Sequence, residues 1–348
     1  MKAIVLTEHG NPSVLKYIDV SLPRVGPNEV LFKVKATGAN FVDVWARRGM
    51  PGQAITFPHI SGSDAAGIVE EVGDAVTHVS PGDEIVVHPT LSCRICEQCA
   101  RGEETLCKEC KVWGFQTGPN NGGQAQYAVL PKYNVIKKLD QLTWEQAGSM
   151  NLVLLTAWNM LVRRARVRAG DHVLIWGAAG GVGTMAIQIC RLFNAIPIAI
   201  GSSENKLRQA HELGALHVID RHKQDVVAEV RRITDRKGAD IVIEHIGRAT
   251  FPTSIRSLKW GGTLVTCGAT TGFDADLDIR HLWNRQLRLL GSHMGSKADL
   301  LDALHFVERG QILPVVSHIL PLEEVATGHG LIESASAIGK IVYVPNQD

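Results

Sequence analysis

Five of the seven cysteines in this 348-residue chain fall in one stretch, SCRICEQCARGEETLCKEC, at positions 92–110. Cys93, Cys96, Cys99 and Cys107 keep the spacing C-x2-C-x2-C-x7-C, and Cys110 follows. Two successive short spacings let three thiolates converge from one loop, and the fourth returns to complete the tetrahedron that zinc prefers. Four sulfur ligands leave no position for water or substrate, so one zinc per chain held here is structural by coordination alone. An iron–sulfur cluster also asks for four cysteines, yet nothing else in the chain points to electron-transfer wiring, and zinc is the expected metal. The chemistry leaves Cys110 open as a ligand in place of Cys107.

A second stretch, HVLIWGAAGGVGTMAIQIC at 172–190, sets an apolar run directly before a glycine-rich turn and an amphipathic segment. Strand, turn and helix in that order form the phosphate-binding unit of a dinucleotide fold, with Ala178, Ala179, Gly180, Gly181, Val182 and Gly183 as the turn. Gly180 lets the backbone approach a pyrophosphate, and Gly183 lets the helix pack on the sheet. Free N–H groups at the helix start then meet the phosphate charge. Ala178 stands where the fingerprint's first glycine is expected. The next strand-like run ends in Gly201, Ser202 and Ser203, where an NAD-preferring site places Asp or Glu against the ribose 2′-hydroxyl. Without that carboxylate, a 2′-phosphate can accept from the two serines and meet the charge of Lys206 or Arg208. This favours NADPH, with NADH the less favoured cofactor. The plainer reading of Lys206 and Arg208 is the solvated face of a helix that also carries Glu204.

The elements that must position these stretches change character near residue 140. Up to 139 the apolar runs are short, β-branched and broken by Gly, Pro, Asn and Asp, as in AIVL (3–6), EVLFKVKA (29–36), GIVEEVG (67–73) and DEIVVHP (83–89). They predict an all-β, barrel-like region. From 143 the spacing turns helical in WEQAGSMNLVLLTAWNMLVRRA, and beyond it strand-like and helix-like segments alternate: 171–177, 183–193, 195–201, 204–214, 217–220, 226–235 and 239–247. That rhythm predicts an α/β fold with a doubly wound parallel sheet, to which 261–268 and 287–294 add two strands. Cys190 and Cys267 fall in a helix and a strand of this half, as core thiols.

Thirty-six basic and 35 acidic side chains leave a formal net charge of +1, which predicts neither a nucleic-acid nor a membrane partner. The beginning, MKAIVLTEHG, lacks the apolar core of a secretory signal, and no apolar run reaches the roughly 18–20 residues that span a bilayer. A soluble, cytoplasmic protein is expected, and in a reducing compartment clustered thiols bind metal rather than pair as disulfides.

Together these features resemble the medium-chain dehydrogenase/reductase superfamily, which includes zinc alcohol dehydrogenases and zinc-free quinone and enoyl reductases. The resemblance runs from MKAIVL to GKIVYVP and rests on the cysteine lobe, GGQAQYAVLP (122–131), LLTAW (154–158) and GAAGGVG (177–183). It implies a GroES-like β-barrel catalytic domain made from residues 1–151 together with 295–348, and a Rossmann cofactor domain over 152–294 with Thr156 among the cofactor contacts. It also implies a homodimer or homotetramer, with LRLLGSHM (287–294) as an interface strand.

In the zinc alcohol dehydrogenases a second, catalytic zinc carries the chemistry, and this chain departs from that pattern at every position. C-H-x-D falls on NFVD, so Asn40 replaces the first ligand and Val42 the proton-relaying hydroxyl. G-H-E falls on GSD, so Ser63 and Asp64 replace the histidine and glutamate; the third ligand is Leu152, and Trp45 stands where many members have a relay histidine. His59 and His88 lie near these stretches but read as surface or core residues rather than replacement ligands.

Zinc lowers the pKa of bound water from about 15.7 to about 7, on the order of 10 kcal/mol, and similar help makes an alcohol's proton removable at neutral pH. Without it, the reactions that survive have an acceptor that is already electron-poor: a quinone, or the β-carbon of an enone, enal or enoyl thioester. The expected function is NADPH-dependent hydride delivery to such a small-molecule acceptor, as in the quinone oxidoreductases and enoyl reductases that NFVDVWARRG and SGSDAAGIV also resemble. Asn40 then holds the nicotinamide or the acceptor oxygen, Asp43 fixes its loop, Trp45 lines the substrate slot and Asp64 is a polar neighbour of the former metal site. Solvent or the cofactor ribose supplies the proton. Two alternatives stand beside this reading: a zinc alcohol dehydrogenase with other ligands, and a nucleotide-binding protein without activity.

Overall fold

Short β-branched runs between turn-forming breaks become strands because side chains that are stiff at χ1 pack well on a pleated surface. In the computed structural model, which describes residues 1–117 and 122–346, these runs are β1 (Lys2–Leu6), β2 (Leu15–Asp19), β3 (Glu29–Gly38), β4 (Asp64–Val72), β5 (Glu84–Val87), β6 (Thr90–Leu91), β7 (Lys111–Val112), β8 (Tyr127–Pro131) and β9 (Val135–Lys137). Two helices, α1 (Phe41–Arg48) and α2 (Glu97–Ala100), interrupt them, and α3 (Trp144–Trp158) follows. Numbered along the whole chain, the last elements are α9 (Lys297–Glu308), β16 (Val316–Pro321), α10 (Val325–Glu333) and β17 (Lys340–Val344).

One compact unit comprises Met1–Leu152, Ser296–Leu301 and Pro314–Asp348, so the chain's end returns to complete it. Its main sheet has the order β16-β17-β3-β4-β5-β9 with β8 also on β3. All these pairs are antiparallel except β16 with β17. Val30, Phe32, Val34, Val69, Ile85, Trp113 and Leu130 fill the interior of this GroES-like unit.

The second unit is Val153–Gly295 with Asp302–Leu313. It alternates β10 (His172–Ile175), α4 (Gly181–Leu192), β11 (Ile196–Gly201), α5 (Glu204–Glu212), β12 (His217–Asp220), α6 (Val226–Ile233), β13 (Ala239–Glu244), α7 (Phe251–Ser257), β14 (Leu258–Thr266), α8 (Arg280–Arg285) and β15 (Arg288–Gly291). The strands are all parallel in the order β12-β11-β10-β13-β14-β15. Leu174, Ile198, Val242 and Leu264 are wholly buried, as expected of a parallel sheet covered on both faces. The order reverses between β10 and β13, which makes their C-terminal ends the switch point of a Rossmann sheet, where ligands bind.

Several boundaries differ from the sequence reading. The barrel domain was expected to take all of 295–348, whereas Asp302–Leu313 clusters with the second unit. There Leu313 N–H donates to Gln188 Oε1 at 2.8 Å, and Gln188 Nε2 donates to Leu313 O at 3.0 Å. The strand expected at 261–268 begins at Leu258, which pairs with Ala239 ahead of a register shift between Ala239 and Ile241. Helix α4 starts at Gly181 rather than 183. Among the described residues no helix is long and apolar enough to cross a membrane.

Helix α3 meets β3 backbone on backbone: a Cβ on Gly148 would lie 2.5 Å from Ala36 O, and one on Gly38 2.5 Å from Ser149 Cα. Gly148→Val is therefore expected to destabilise the first unit by about 1–3 kcal/mol in denaturant unfolding. An unchanged midpoint would show that the contact has room.

Candidate functional site

The segment NFVD leaves β3 and starts α1, with Asn40 as the N-cap. Asp43, three residues on, accepts the Asn40 backbone N–H at 2.8 Å through Oδ2 and the Gly62 N–H at 3.2 Å through Oδ1, tying two loops together. Complete burial pushes its carboxyl up to about 7, against the opposing pull of the Asn40 N–H and the Lys340 charge.

Asp64 opens β4 opposite Gly38. Its Oδ2 accepts from Asn40 Nδ2 at 2.9 Å and its Oδ1 from the Leu152 N–H at 2.8 Å. Lys340, the first residue of β17, completes the group: Nζ lies 2.5 Å from Asn40 Oδ1, 2.6 Å from Ala39 O and 3.6 Å from Asp64 Oδ2. Asp64 is 1% exposed and Lys340 3%. Burial pushes the carboxyl up and the ammonium down, and each charge restrains the other's shift. The two amide protons of Asn40 go to Asp64 and, at 3.3 Å, to Gly38 O. The amide expected to hold nicotinamide or acceptor is thus engaged within the chain at both ends.

The positions that the resemblance implies for a catalytic zinc's ligands carry an amide (Asn40), a hydroxyl (Ser63) and a hydrocarbon (Leu152), none of which is a thiolate, imidazole or carboxylate donor. An ammonium 2.5 Å from Asn40 Oδ1 also repels a dication at that place, so these residues do not fit the metal. Ser63 Oγ is buried and has no hydrogen-bond partner among the described residues. His59 is occupied by Gly114 O at 3.1 Å and His88 lies 3.5 Å from Glu104. Trp45 is half-buried and packs edge-on against Phe41, centroids 5.3 Å apart. Sequence reading passed over Lys340, whose only signal was a lone cation opening the apolar run KIVYV.

In the second unit, β10 delivers the glycine turn to the switch point. The left-handed residue there is Gly177, at φ +55°, one place before Ala178, which is why an alanine is tolerated where a glycine was expected. A Cβ on Gly183 would lie 2.4 Å from Gly177 O, so that position is closed to any larger residue. Gly180 caps α4 without a side chain, leaving the N–H groups of Gly181, Val182 and Gly183 for an anion. Ala178 and Ala179 are buried beside them, and Thr156 is buried in α3. At the tip of β11, Lys206 Nζ donates to Ser202 Oγ at 3.2 Å, with Ser203 exposed at the start of α5. Arg208 turns to Asn205 Oδ1 at 2.9 Å. Arg221, which sequence reading missed, donates its backbone N–H to Gly201 O at 3.1 Å. Burial and then the Arg221 charge hold the Lys206 ammonium below its usual range. Two cations therefore flank this strand tip.

The cysteine lobe lies in the first unit. The sulfur atoms of Cys93, Cys96, Cys99 and Cys107 are all within 4.8 Å of one another, and this is the one such group of His, Cys, Asp or Glu among the described residues. Cys93 Sγ is 3.9 Å from Cys99 Sγ and 3.5 Å from Cys107 Sγ. Thiolates at about 2.3 Å from one tetrahedral zinc sit about 3.8 Å apart, so the set fits the metal. Cys110 stays outside the set, its thiol pushed up to about 11 by burial.

Removing Lys340 leaves Asp64 buried and uncompensated, so Lys340→Met is expected to cost about 3–5 kcal/mol. Lys340→Met with Asp64→Leu is expected to recover most of that loss in denaturant unfolding, whereas a double-variant loss equal to the sum of the Lys340→Met and Asp64→Leu losses would show that the pair is not coupled.

Residues 26–140 match the alcohol dehydrogenase GroES-like domain family and residues 181–309 the zinc-binding dehydrogenase family. The chain is 34% identical to a crotonyl-CoA reductase of Streptomyces avermitilis, over 88% of this chain and 76% of that one. It is 27% identical to a quinone oxidoreductase of Homo sapiens over 99% and 98%. A crystal structure of an NAD-dependent alcohol dehydrogenase superposes with a TM-score of 0.95 at 42% identity, covering 99% of both chains. A crotonyl-CoA carboxylase/reductase solved in complex with NADP gives 0.90 at 34% identity, over 99% of this chain and 94% of that one. With a GroES-like unit, a Rossmann unit and relatives that match along nearly the whole chain, this protein belongs to the medium-chain dehydrogenase/reductase superfamily and is an NAD(P)H-dependent oxidoreductase.

Proposed function

We propose that the protein delivers hydride from NADPH to a quinone or to an activated C=C bond, in an enone, enal or enoyl thioester, without a catalytic zinc. The observation that supports this reading is the Asn40–Lys340–Asp64 network, in which an ammonium lies against Asn40, the residue that the family resemblance sets at a zinc ligand's position. The similarity to a crotonyl-CoA reductase, a quinone oxidoreductase and an NADP complex supports it.

When bound, the nicotinamide supplies the hydride; the chain binds, orients and excludes water. The N–H groups of the 177–183 turn hold the pyrophosphate, and Thr156 packs beside the cofactor. Ser202, Ser203, Lys206 and Arg221 hold the 2′-phosphate, with Arg208 at most an outer charge because it is turned to Asn205. Asp43, with Asp64 and Asn40, fixes the start of α1, the helix that carries Trp45, and Trp45 lines the acceptor's slot. The proton comes from solvent or the cofactor ribose. The four cysteines hold one structural zinc per chain. β15 ends its sheet with one side unpaired, and a second copy adding there makes the homodimer or homotetramer. Cytoplasmic residence completes the reading.

A second reading, a zinc alcohol dehydrogenase, is favoured by the 42% identity to the NAD-dependent alcohol dehydrogenase structure. One paired measurement separates the two: NADPH consumption against quinones, enals and enones, with zinc counted per chain. Turnover of such an acceptor with about one zinc supports the proposal. Two zincs with alcohol oxidation, or NADPH binding with every acceptor inert, would sink it. For the cofactor, Ser203→Asp is expected to weaken NADPH far more than NADH by charge repulsion, and equal effects on the two Kd values would show the ribose lies elsewhere.

A further inference from the structure

Inside the cysteine lobe sits a carboxylate that none of the chemistry above uses. Glu104 begins the 3-10 turn Glu104–Leu106 that runs into Cys107, whose N–H donates to Glu104 O at 3.1 Å. It is 7% exposed, and a carboxylate so buried is retained only when its partners hold it. Arg94 Nη1 donates to Oε1 at 2.5 Å. The Lys297 N–H, at the start of α9, donates to Oε2 at 3.1 Å, and His88 Nε2, on the link between β5 and β6, lies 3.5 Å from the same oxygen.

Arg94 is the residue immediately after Cys93 and stands at φ +66°, a left-handed conformation that a non-glycine residue adopts where its surroundings impose it. This bend turns the chain so that the Cys96 N–H reaches Cys93 Sγ at 3.4 Å and the two thiols face the same point. Glu104 grips the guanidinium of that bent residue. The same side chain therefore holds the chain just after the first cysteine and just before the last, and anchors both to β5–β6 and α9. By contrast, the lobe's other ion pair, Glu97 with Arg101, lies along α2 with both side chains about two-thirds exposed, at 69% and 65%; screened by water, it fixes little.

We infer that Glu104 is the positioning residue of the four-cysteine site, setting through Arg94 how the thiolates converge and how firmly they keep a metal. The inference rests on the reading of that site as a zinc site. Outer-sphere partners of metal ligands commonly govern affinity by about 10–100-fold, and an anion that orients the ligand loop without touching the metal acts in that way.

The test is zinc release from the full-length protein to a chromophoric chelator, comparing wild type, Glu104→Gln, Arg94→Met and Glu97→Gln, with circular dichroism recorded on each. Release about 10–100-fold faster from Glu104→Gln and Arg94→Met, with Glu97→Gln like wild type, supports the inference. In cobalt-loaded protein, the same two variants are expected to shift the tetrahedral thiolate absorption bands, which a general loss of stability would not move while the fold is intact. If Glu104→Gln does not fold, Arg94→Met alone decides. Wild-type release rates and cobalt bands in both folded variants, or acceleration by Glu97→Gln to the same degree, overturn the role of Glu104 and leave the zinc site standing. Wild-type protein that holds no zinc overturns both.

Discussion

An ammonium and a carboxylate buried together must neutralise each other where they stand, because leaving either without its partner in a low-dielectric interior costs several kcal/mol. Lys340 and Asp64 meet this constraint with the Asn40 amide between them, its oxygen toward the cation and its nitrogen toward the anion. Four segments are committed by it: the N-cap of α1, the start of β4, the Leu152 amide in α3 and the start of β17. Strand β17, on which the chain returns to the first unit, is thus held there by charge as well as by strand pairing. Asp43 extends the same logic by spending its oxygens on backbone N–H groups.

That network also governs the chemistry available. A divalent ion polarises a bound oxygen far more than a saturated ammonium does, since Lys340 already gives its protons to Asn40 and Ala39. On the proposed reading, catalysis relies on the intrinsic reactivity of the acceptor and on the position of the nicotinamide. Thiols and charge occupy separate places: four sulfur atoms converge in the lobe, and the Lys340 ammonium lies against Asn40 and Asp64. Glu104 shows the same economy in the lobe, one buried carboxylate holding both the Arg94 guanidinium and the Lys297 backbone N–H.

Much of this was legible in the sequence because its signals are local. The thiolate spacing and the strand–turn–helix context of 172–190 concern residues near one another in the chain, so their geometry follows from backbone reach alone. The residue types at 40, 63 and 152, an amide, a hydroxyl and a hydrocarbon, were equally readable. Charge pairing was not. Lys340 lies 300 residues from Asn40, and no pattern of periodicity links them. Arg221 was invisible for a similar reason: it follows β12, whose pairing with β11 brings it to Gly201.

By itself, then, the sequence determined the element types, the two-part architecture and the four-thiol set up to the choice between Cys107 and Cys110. Tertiary structure decided the rest. It set Cys107 rather than Cys110 among the clustered sulfurs, turned Arg208 to Asn205 and brought Arg221 to Gly201, placed the left-handed residue of the glycine turn at Gly177, and carried Lys340 to Asn40 and Asp64. The division has one physical cause: thiol spacing and turn chemistry act over a few residues, whereas a buried charge is satisfied by whichever partner the packed sheets carry to it.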